Sequence, residues 1–374
     1  MYKKPMLSRA VKLFIASILV VGPLSVIAQS QFKGFENLFT IPKGYVVNYV
    51  STPPIIDGNI NDAIWQQAKW TEDFVDIEGD LKPKPLLKTN VKMLWDDSCL
   101  YIAVQIHDPH VWATLKHHDD IIFYDNDFEV FINPNNTTHQ YFEIEYNALN
   151  TVFDLFLNKP YRNYGSPMIN WNVEDLRSAV QVQGTLNDPT DTDKGWTLEM
   201  AIPFKAISLG NNTQLPREGT LWRINFSRVE WDTRPGDGGK YVKLKDNTGR
   251  NLPEHNWVWS PQGVVNMHFP ERWGYLQFSK LNDSKVFELP YAELQKRYLW
   301  LVYYRQQEWF SHHHQYCKSL KKLGIKRSQA INNMGNNLQL EATAHQFMAF
   351  VTDGNGGSVW SINQDGLIGK QNKN

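Results

Sequence analysis

Short segments of alternating apolar and polar residues, separated by turn residues, dominate the chain from residue 45 to residue 280. Residues 91–95 and 100–106 flank the turn Asp96-Asp97-Ser98, and residues 128–132 run into Asn133-Pro134-Asn135-Asn136. Similar segments are 141–146, 151–157, 196–202, 221–229 and 274–278. Strands at this spacing, bounded by Gly, Pro and Asn, are typical of an antiparallel sandwich. We therefore predict an all-β fold, an antiparallel β-sandwich spanning residues 45–280.

The pattern changes at Pro290. Aromatic residues and leucines then recur at helical spacing, which predicts a long helix over residues 291–322 with a break near Ser311. Residues 328–337 are rich in Asn and are predicted to form a linker. Asp353-Gly354-Asn355-Gly356-Gly357 predicts a small β-hairpin between residues 345–351 and 358–363. Residues 281–374 are thus expected to be a helix-and-hairpin extension with little chemistry of its own.

The first residues have the composition of an export signal. An apolar run over residues 13–27 is too short and too interrupted for a good membrane span. Four basic residues precede it: Lys3, Lys4, Arg9 and Lys12. We expect cleavage after Ala28, then a linker over residues 29–44, and a secreted or periplasmic protein with no membrane span. The alternative is a retained N-terminal anchor helix.

Charge and cysteine content exclude several classes of protein. The net charge of −1 does not indicate the excess of basic residues that is typical of nucleic-acid-binding proteins. Cys99 and Cys317 lie in separate predicted regions and are expected to be free thiols, with no zinc–cysteine site. The sequence contains no phosphate-binding glycine loop, no nucleophile elbow and no HExxH motif.

The chain is rich in rings, with 14 Trp and 16 Tyr, and many of them stand beside Asn, Asp, Gly or Pro. Such placement is typical of flat surfaces held on loops. Sugars bind such surfaces because their C–H faces stack on rings while their hydroxyls bond to polar side chains. The alternative for any single ring is a place in the core.

Four stretches, in this order and spacing, resemble carbohydrate-binding module family 9. They are residues 54–65, residues 94–109, residues 125–134, and residues 195–203 followed by 222–228. The resemblance covers residues 55–278 and points to a divergent branch of the family. It implies a β-sandwich that binds sugar chains or their ends, often alongside glycoside hydrolases, and that commonly holds structural calcium.

The resemblance also implies roles for particular residues. In the family a sugar lies between two rings and bonds to a glutamate, and Glu129 matches that glutamate. The first ring falls at Phe123 or Tyr124, and the second at Trp257 or Trp259. Glu143 matches a polar sugar contact that is basic in the well-studied branch. Asp57, Asp62 and Asp108 match calcium positions, although Asp57-Gly58 and Asp108-Pro109 are also ordinary turn signals.

Spacing alone adds an acidic patch to these candidates. Glu143 and Glu145 project from one face of a strand, about 7 Å apart, and Glu129 joins them if its strand is the neighbour. Three interpretations remain open: recognition of sugar or calcium, a catalytic carboxyl pair, or ion pairs with Arg223 or Arg228. Arg228 and Glu230 also share a face, and either line the groove or pair with each other.

Two loops complete the set of candidates. Residues 158–172, which include Tyr161 and Tyr164, would suit a rim that sets specificity, or would pack back on the loop itself. The cluster from His117 to Asp120 is either a metal site or a solvated loop.

The leading hypothesis is an exported, non-catalytic carbohydrate-binding protein that captures polysaccharide. Its partners would be glycoside hydrolases or other polysaccharide-processing proteins, and calcium its only cofactor. One alternative is a glycoside hydrolase that uses Glu129 with Glu143 or Glu145. The other is an assembly protein that has lost sugar binding and docks a partner through the aromatic helix.

Overall fold

A computed structural model describes residues 31–210, 213–281, 285–354 and 359–371. The predicted export signal over residues 1–28 lies outside these ranges. The strands of the first region are β1 Gly44–Tyr49, β2 Val75–Asp76, β3 Thr89–Trp95, β4 Cys99–His107, β5 Asp127–Asn133, β6 Tyr141–Asn147, β7 Val152–Leu157, β8 Pro167–Met168, β9 Arg177–Gln183, β10 Gly195–Pro203, β11 Leu221–Glu230, β12 Thr233–Gly236, β13 Lys240–Lys243, β14 His255–Val258 and β15 Gly274–Ser279.

The first region is a sandwich whose two halves are joined through one strand. The hydrogen-bonded order is β8-β7-β6-β5-β11-β15 for the first half, continued by β1-β3-β4-β10-β9 for the second half. Strand β1 pairs in parallel with both β15 and β3, whereas the other pairs in this path are antiparallel. The predicted sandwich is confirmed, with β1 as its parallel exception.

The core lies between the inner faces of the two halves. Phe128, Val130 and Phe226 from the first half pack in one cluster with Met93 and Leu198 from the second half. Because side chains alternate along a strand, the same strands send Glu129 and Ser227 to the outer face of the first half. That outer face is the one on which the candidate site residues meet.

The C-terminal region contains one helix and a five-stranded antiparallel sheet. Its elements are α1 Tyr291–His313, β16 Ser328–Ile331, β17 Met334–Ala342, β18 Phe347–Asp353, β19 Val359–Asn363 and β20 Ile368–Gln371, with the strands paired in sequence order. The predicted helix and the predicted pairing of β18 with β19 are confirmed. No helix in the described ranges is long and apolar enough to span a bilayer.

Two predictions for this region are wrong. The helix ends at His313, close to the predicted break at Ser311, and does not continue to residue 322; His314 caps it in a left-handed conformation. Residues 328–337 are not a linker, because they form β16 and the start of β17. Asparagines at the turn, Asn332 and Asn333, adopt positive φ and join the two strands, which explains why this hairpin has the composition of a linker.

The helix joins the sandwich through a buried ion-pair network. Glu293 accepts hydrogen bonds from Arg223 of β11, at 3.1 Å, and from Lys296 of α1, at 2.7 Å. The guanidinium of Arg223 also lies 3.7 Å from the ring centre of Tyr275 in β15. All of these side chains are buried. The predicted appendage is therefore packed tightly on the sandwich.

The segment before β1 belongs to the same packing. Phe39 is buried in the cluster formed by α1 and the small sheet, and Phe32 and Phe35 pack against that cluster. The described part of the predicted N-terminal linker is thus anchored on the C-terminal region. Cys99 and Cys317 are both free and buried.

Candidate functional site

The registers of β5 and β6 bring the predicted glutamates together. Glu129 lies directly opposite Glu145, and Phe131 lies opposite Glu143. Asp127 stands two residues before Glu129 on the same face. Carboxylate oxygens of Asp127, Glu129 and Glu145 all lie within 4.8 Å of one another. We call Asp127, Glu129, Glu143 and Glu145 the acidic row; its existence confirms the patch predicted from spacing.

The acidic row is covered, which the sequence did not predict. Glu129 is only 6% exposed, and the other three carboxylates are also buried. A separate apolar cluster on this outer face includes Ile77, Ile122, Met267 and Trp273, which come from loops distant in sequence. Glu129 therefore does not project into open solvent, as its place on the outward face had suggested.

Burial changes the protonation of the row. It raises the pKa of Glu129 to about 7, and the nearby charge of Glu254 adds to that effect. Burial, together with the other carboxylates of the row, raises the pKa of Asp127, Glu143 and Glu145 well above their ordinary values. Like charges at this separation in a dry environment oppose each other's ionisation.

The arginines that might have paired with the row are used elsewhere. Arg228 bonds to Glu230 at 2.7 Å and lies 3.7 Å from Asp108, on the opposite face of β11 from Ser227. Arg223 pairs with Glu293. The alternative in which Arg228 or Arg223 pairs with Glu143 or Glu145 is therefore wrong, whereas the alternative that pairs Arg228 with Glu230 is confirmed. Arg228 is a buried structural side chain and not a groove residue.

Aromatic rings stand near both ends of the acidic row. Phe123 and Tyr124 lie on a single 3-10 turn, Ile122–Tyr124, that packs against β6. Their ring centres are 4.6 Å apart, and Tyr124 is 54% exposed. Phe123 is half-buried. The first-ring candidates thus lie on a turn that contacts the strand carrying Glu143 and Glu145.

Tyr161 and His268 lie near Glu143. Tyr161 is 41% exposed, and its ring meets the edge of His268 at 4.4 Å between centres. His268 Nε2 is 3.9 Å from Glu143. Partial burial, with the charges of Glu143 and Glu145, raises the pKa of Tyr161 to about 12. The loop predicted as a rim therefore brings one ring to the row, whereas Tyr164 stays 90% exposed.

The second-ring candidates both belong to the core cluster of the sandwich, and they differ in what else they contact. Trp259 is 1% exposed and packs on Phe226, and a side chain at Gly274 would collide with its ring. Trp259 is therefore a core residue, and its prediction as a sugar ring is wrong. Trp257 is also largely buried, with His255 stacked on it at 5.4 Å between centres.

Trp257 borders an open cleft, and it lies opposite Arg228 of β11, on the face of the sheet that is turned away from Glu129. The cleft has a volume of about 660 Å³ and is lined by Trp257, Glu254 and Glu230, together with residues 82–87. Glu254 lines this cleft and its charge acts on Glu129. Trp257 forms part of the wall of this cleft without presenting a free face.

The three predicted calcium aspartates do not form one ligand set. Asp57 accepts the backbone N–H of Asn59 at 2.9 Å, and Asp62 accepts the Asn59 side-chain amide at 2.8 Å. Asp108 is buried beside Arg228. Among the described residues, the groups that gather three metal-binding side chains are the row members Asp127, Glu129 and Glu145, and the set His118, Asp119 and Asp154.

The second of these groups includes two residues of the predicted His117–Asp120 cluster. His118 Nε2 lies 2.6 Å from Asn172 Oδ1 and 3.5 Å from Asp154 Oδ1. The Asn172 contact and the carboxylates of Asp119 and Asp154 raise the pKa of His118. His118 and Asp119 are exposed, whereas Asp154 is buried, so both the metal site and the solvated loop stay predictions for this cluster.

Sequence reasoning missed Asp127 and His268 as members of the site. Asp127 begins the strand that carries Glu129. Because the two residues are two positions apart, alternation could have predicted that Asp127 lies on the same outward face. His268 stands alone in an irregular segment between β14 and β15, and no local pattern marks it. Only the packing of that segment over β6 brings it to Glu143.

A family model described as "Carbohydrate family 9 binding domain-like" matches residues 56–277, more than half of the chain. A curated relative, exoglucanase XynX of Acetivibrio thermocellus, is 24% identical over 180 residues. That match covers 48% of this chain and 14% of the relative, so the chain spans only a small part of the length of that protein.

Two solved structures are also similar to this chain. Both are a carbohydrate binding module family 9 from Caldicellulosiruptor kristjanssonii, one in complex with cellotriose and one with glucose. They are 15% and 14% identical, each covers 66% of this chain and 100% of its own, and both have a TM-score of 0.41.

Proposed function

Because the chain belongs to the carbohydrate family 9 binding domain-like family, we propose that it binds a poly- or oligosaccharide on the outer face of β5 and β6 without catalysing a reaction. The observation that carries the proposal is the placement of two partly exposed tyrosines, Tyr124 and Tyr161, near the acidic row. Ring faces suit the C–H faces of a sugar, and carboxylates accept its hydroxyl hydrogens.

Each group in this arrangement has one role. Tyr124, with Phe123 beside it, supplies one stacking surface, and Tyr161, braced by His268, supplies another. Glu129 and its neighbours are covered, so they accept hydroxyl hydrogens only where a sugar displaces the side chains above them. Cellulose fragments are the first ligands to test, because the curated relative is called an exoglucanase.

The proposal includes export. The basic and then apolar composition of residues 1–28 is typical of a cleaved signal, and polysaccharide is met outside the cytoplasm. We place the protein in the periplasm or outside the cell, where it would capture polysaccharide for glycoside hydrolases or other processing proteins.

The tyrosines give a direct test by calorimetry with cello-oligosaccharides, after a glycan array has chosen the ligand. Tyr124→Ala and Tyr161→Ala should each weaken binding about tenfold, equivalent to about 1.4 kcal/mol, because each removes a stacking face. Tyr164→Ala is the matched control, since Tyr164 is an exposed tyrosine of the same loop. Unchanged affinity in both variants would place the sugar elsewhere, and no binding to any glycan would refute the proposal.

One observation favours a second candidate function, glycoside hydrolysis. The pKa of Glu129 is raised to about 7, and a carboxylate oxygen of Glu145 lies within 4.8 Å of one from Glu129. Retaining glycosidases use an acid with a raised pKa and a second carboxylate about 5–5.5 Å away. Incubating the wild-type chain with each bound glycan separates the two functions. Binding predicts unchanged glycan, whereas release of shorter sugars that Glu129→Gln abolishes would establish the hydrolase.

A further inference from the structure

A histidine and two carboxylates face one another where the loop between β4 and β5 passes β7. His118 and Asp119 belong to that loop, and Asp154 belongs to β7. His118 Nε2 lies 3.6 Å from Asp119 Oδ1 and 3.5 Å from Asp154 Oδ1. One potential metal-binding atom from each of the three side chains lies within 4.8 Å of the other two. The fold therefore brings one nitrogen and two oxygens to a single point.

Asp154 supplies a buried oxygen that is not used by the protein's own hydrogen bonds. Its side chain is 2% exposed, and its Oδ2 accepts the backbone N–H of Val173. Its Oδ1 is buried and accepts no hydrogen bond from the described part of the chain, although it faces His118 Nε2. Burial raises the pKa of this carboxyl. Buried polar atoms without a partner are uncommon, and a positive charge in front of Oδ1 would offset the cost of burying it.

The imidazole of His118 is oriented as in a metal ligand. Its Nδ1 lies 3.0 Å from the backbone carbonyl oxygen of Val152, which can only accept, so Nδ1 carries a proton. Nε2 is directed at oxygens of Asn172, at 2.6 Å, and of Asp119 and Asp154. Metal-bound histidines typically donate one ring N–H to a carbonyl and coordinate through the other nitrogen. The oxygens around Nε2 therefore surround either a proton or a metal ion.

We propose that His118, Asp119 and Asp154 bind one divalent transition-metal ion of the zinc class. Zinc takes imidazole nitrogen and carboxylate oxygen at about 2.0–2.2 Å, so neighbouring ligands of a tetrahedral site lie about 3.3–3.6 Å apart. The distances from Nε2 to the two carboxylates fit that spacing. The fourth position would go to water, or to Asn172 Oδ1 after a small shift away from Nε2. Imidazole suits zinc and similar metals, whereas Ca²⁺ and Mg²⁺ prefer oxygen ligands.

The ion would fix the loop between β4 and β5 on β7. This loop continues into the 3-10 turn Ile122–Tyr124, which carries a stacking ring of the proposed sugar site. The metal site itself does not depend on sugar binding, because none of its three ligands belongs to the acidic row. A metal ion here would stabilise the loop that presents Tyr124.

Titration of Zn²⁺ into the chelator-treated chain, without sugar, tests the inference. Three consecutive exposed histidines at the end of α1 are also able to bind the ion, so the titrations use a background in which all three are replaced by alanine: His312, His313 and His314. This background should bind one Zn²⁺ per chain by calorimetry. Co²⁺ in its place should give the visible absorption of a tetrahedral site, and excess Ca²⁺ or Mg²⁺ should not remove that absorption.

Two variants in this background test the ligands. His118→Gln and Asp154→Asn should each weaken Zn²⁺ binding at least tenfold and abolish the Co²⁺ absorption. His117→Gln is the matched control, since His117 is the neighbouring exposed histidine and is not one of the three ligands. It should bind Zn²⁺ as the background does. Circular dichroism checks that each variant folds, and if Asp154→Asn does not, the exposed His118 still provides the decisive variant.

Two results would overturn the inference. Absence of both binding heat and Co²⁺ absorption in the background would show that Nε2 faces a proton and no metal ion. Unchanged Zn²⁺ affinity in the folded His118→Gln variant would place the ion at another site. A chain that binds Zn²⁺ but no glycan would refute the proposed function alone, and the reverse would refute the metal site alone.

Discussion

Glu199 is a buried carboxylate that ties together two segments far apart in sequence. Its side chain accepts the indole N–H of Trp65 at 2.5 Å and the backbone N–H groups of Asp57 and Gly58 at 3.0 and 2.8 Å. Gly58 adopts φ +87°, and a Cβ there would lie only 3.0 Å from the backbone nitrogen of Gln181. The Asp57–Trp65 motif is thus fixed by a structural anchor.

Trp65→Phe should destabilise the protein by about 1–3 kcal/mol, because it leaves the buried Glu199 carboxylate short of one donor. The free energy of unfolding in urea measures this cost. Trp70→Phe is the control, since Trp70 is 38% exposed. Equal stability of the two variants would contradict the anchoring role of Glu199.

At the scale of single residues, alternation predicted the face of Glu129 correctly but not its burial. Trp257 and Trp259 show the same limit. Both lie at or beside β14, look equivalent in the sequence and belong to the core cluster, yet Trp259 is enclosed against Phe226 whereas Trp257 also borders a cleft. Which segment covers a given face is decided by loops that arrive from elsewhere in the chain, and no local pattern encodes it.

The helix α1 is the element that joins the two parts of the molecule. Burial opposes ionisation of Glu293, but Lys296 and Arg223 outweigh it and lower the pKa of Glu293. Asn136, in the turn between β5 and β6, also donates to this carboxylate at 3.0 Å. The network therefore ties α1 to strand β11 and to the turn between β5 and β6, both in the first half of the sandwich.

Glu293→Ala should cost about 3–5 kcal/mol, because it leaves Arg223 and Lys296 buried without their partner. Since the pKa of Glu293 is lowered by folding, its contribution is present above the ordinary glutamate pKa of 4.5 and is lost as pH falls through the folded value. The free energies of unfolding of the wild type and of Glu293→Ala, measured over pH 3–7, test this contribution. His312→Ala, at the exposed end of α1, should match the wild type, and an equally stable Glu293→Ala would refute the role of the network.

Elements with strong local signals were predicted well, and elements defined by their partners were not. Strands β3 to β7, β10, β11 and β15, and the hairpin of β18 and β19, carry alternation and turn residues, whereas β8 and β9 were not predicted. The parallel pairing of β1 carries no such signal, because it depends on where β15 and β3 lie. Strands β16 and β17 were mistaken for a linker, since their asparagines suggest a loop until the pairing with β18 is known.

At the scale of the whole molecule, three regions share one packed structure. The segment before β1, the sandwich and the C-terminal region meet around α1. Arg272, beside β15, donates to the backbone carbonyl of Thr40 at 2.7 Å, and Thr138 of the sandwich donates to the carbonyl of Gly366 at 2.9 Å. The C-terminal region is therefore not expected to unfold separately.

Calorimetry of the full chain should show one cooperative thermal transition, and removal of residues 281–374 should destabilise the sandwich, because both sides of this interface would lose buried partners. A reducing agent should leave the Tm unchanged, since Cys99 and Cys317 are free. Two well-separated transitions, or a truncated sandwich as stable as the full chain, would show that the regions are independent.

The sequence by itself determined which motifs form strands, that the glutamates face outward, and which family the chain belongs to. It could do so because alternation and motif spacing are local properties of the chain. The tertiary structure alone decided that the glutamates are covered, that Trp259 is core, and that Tyr161 and His268 lie beside Glu143. Those outcomes depend on loops separated by more than a hundred residues packing on one sheet face, and burial there sets both the charge of the row and its capacity to bind.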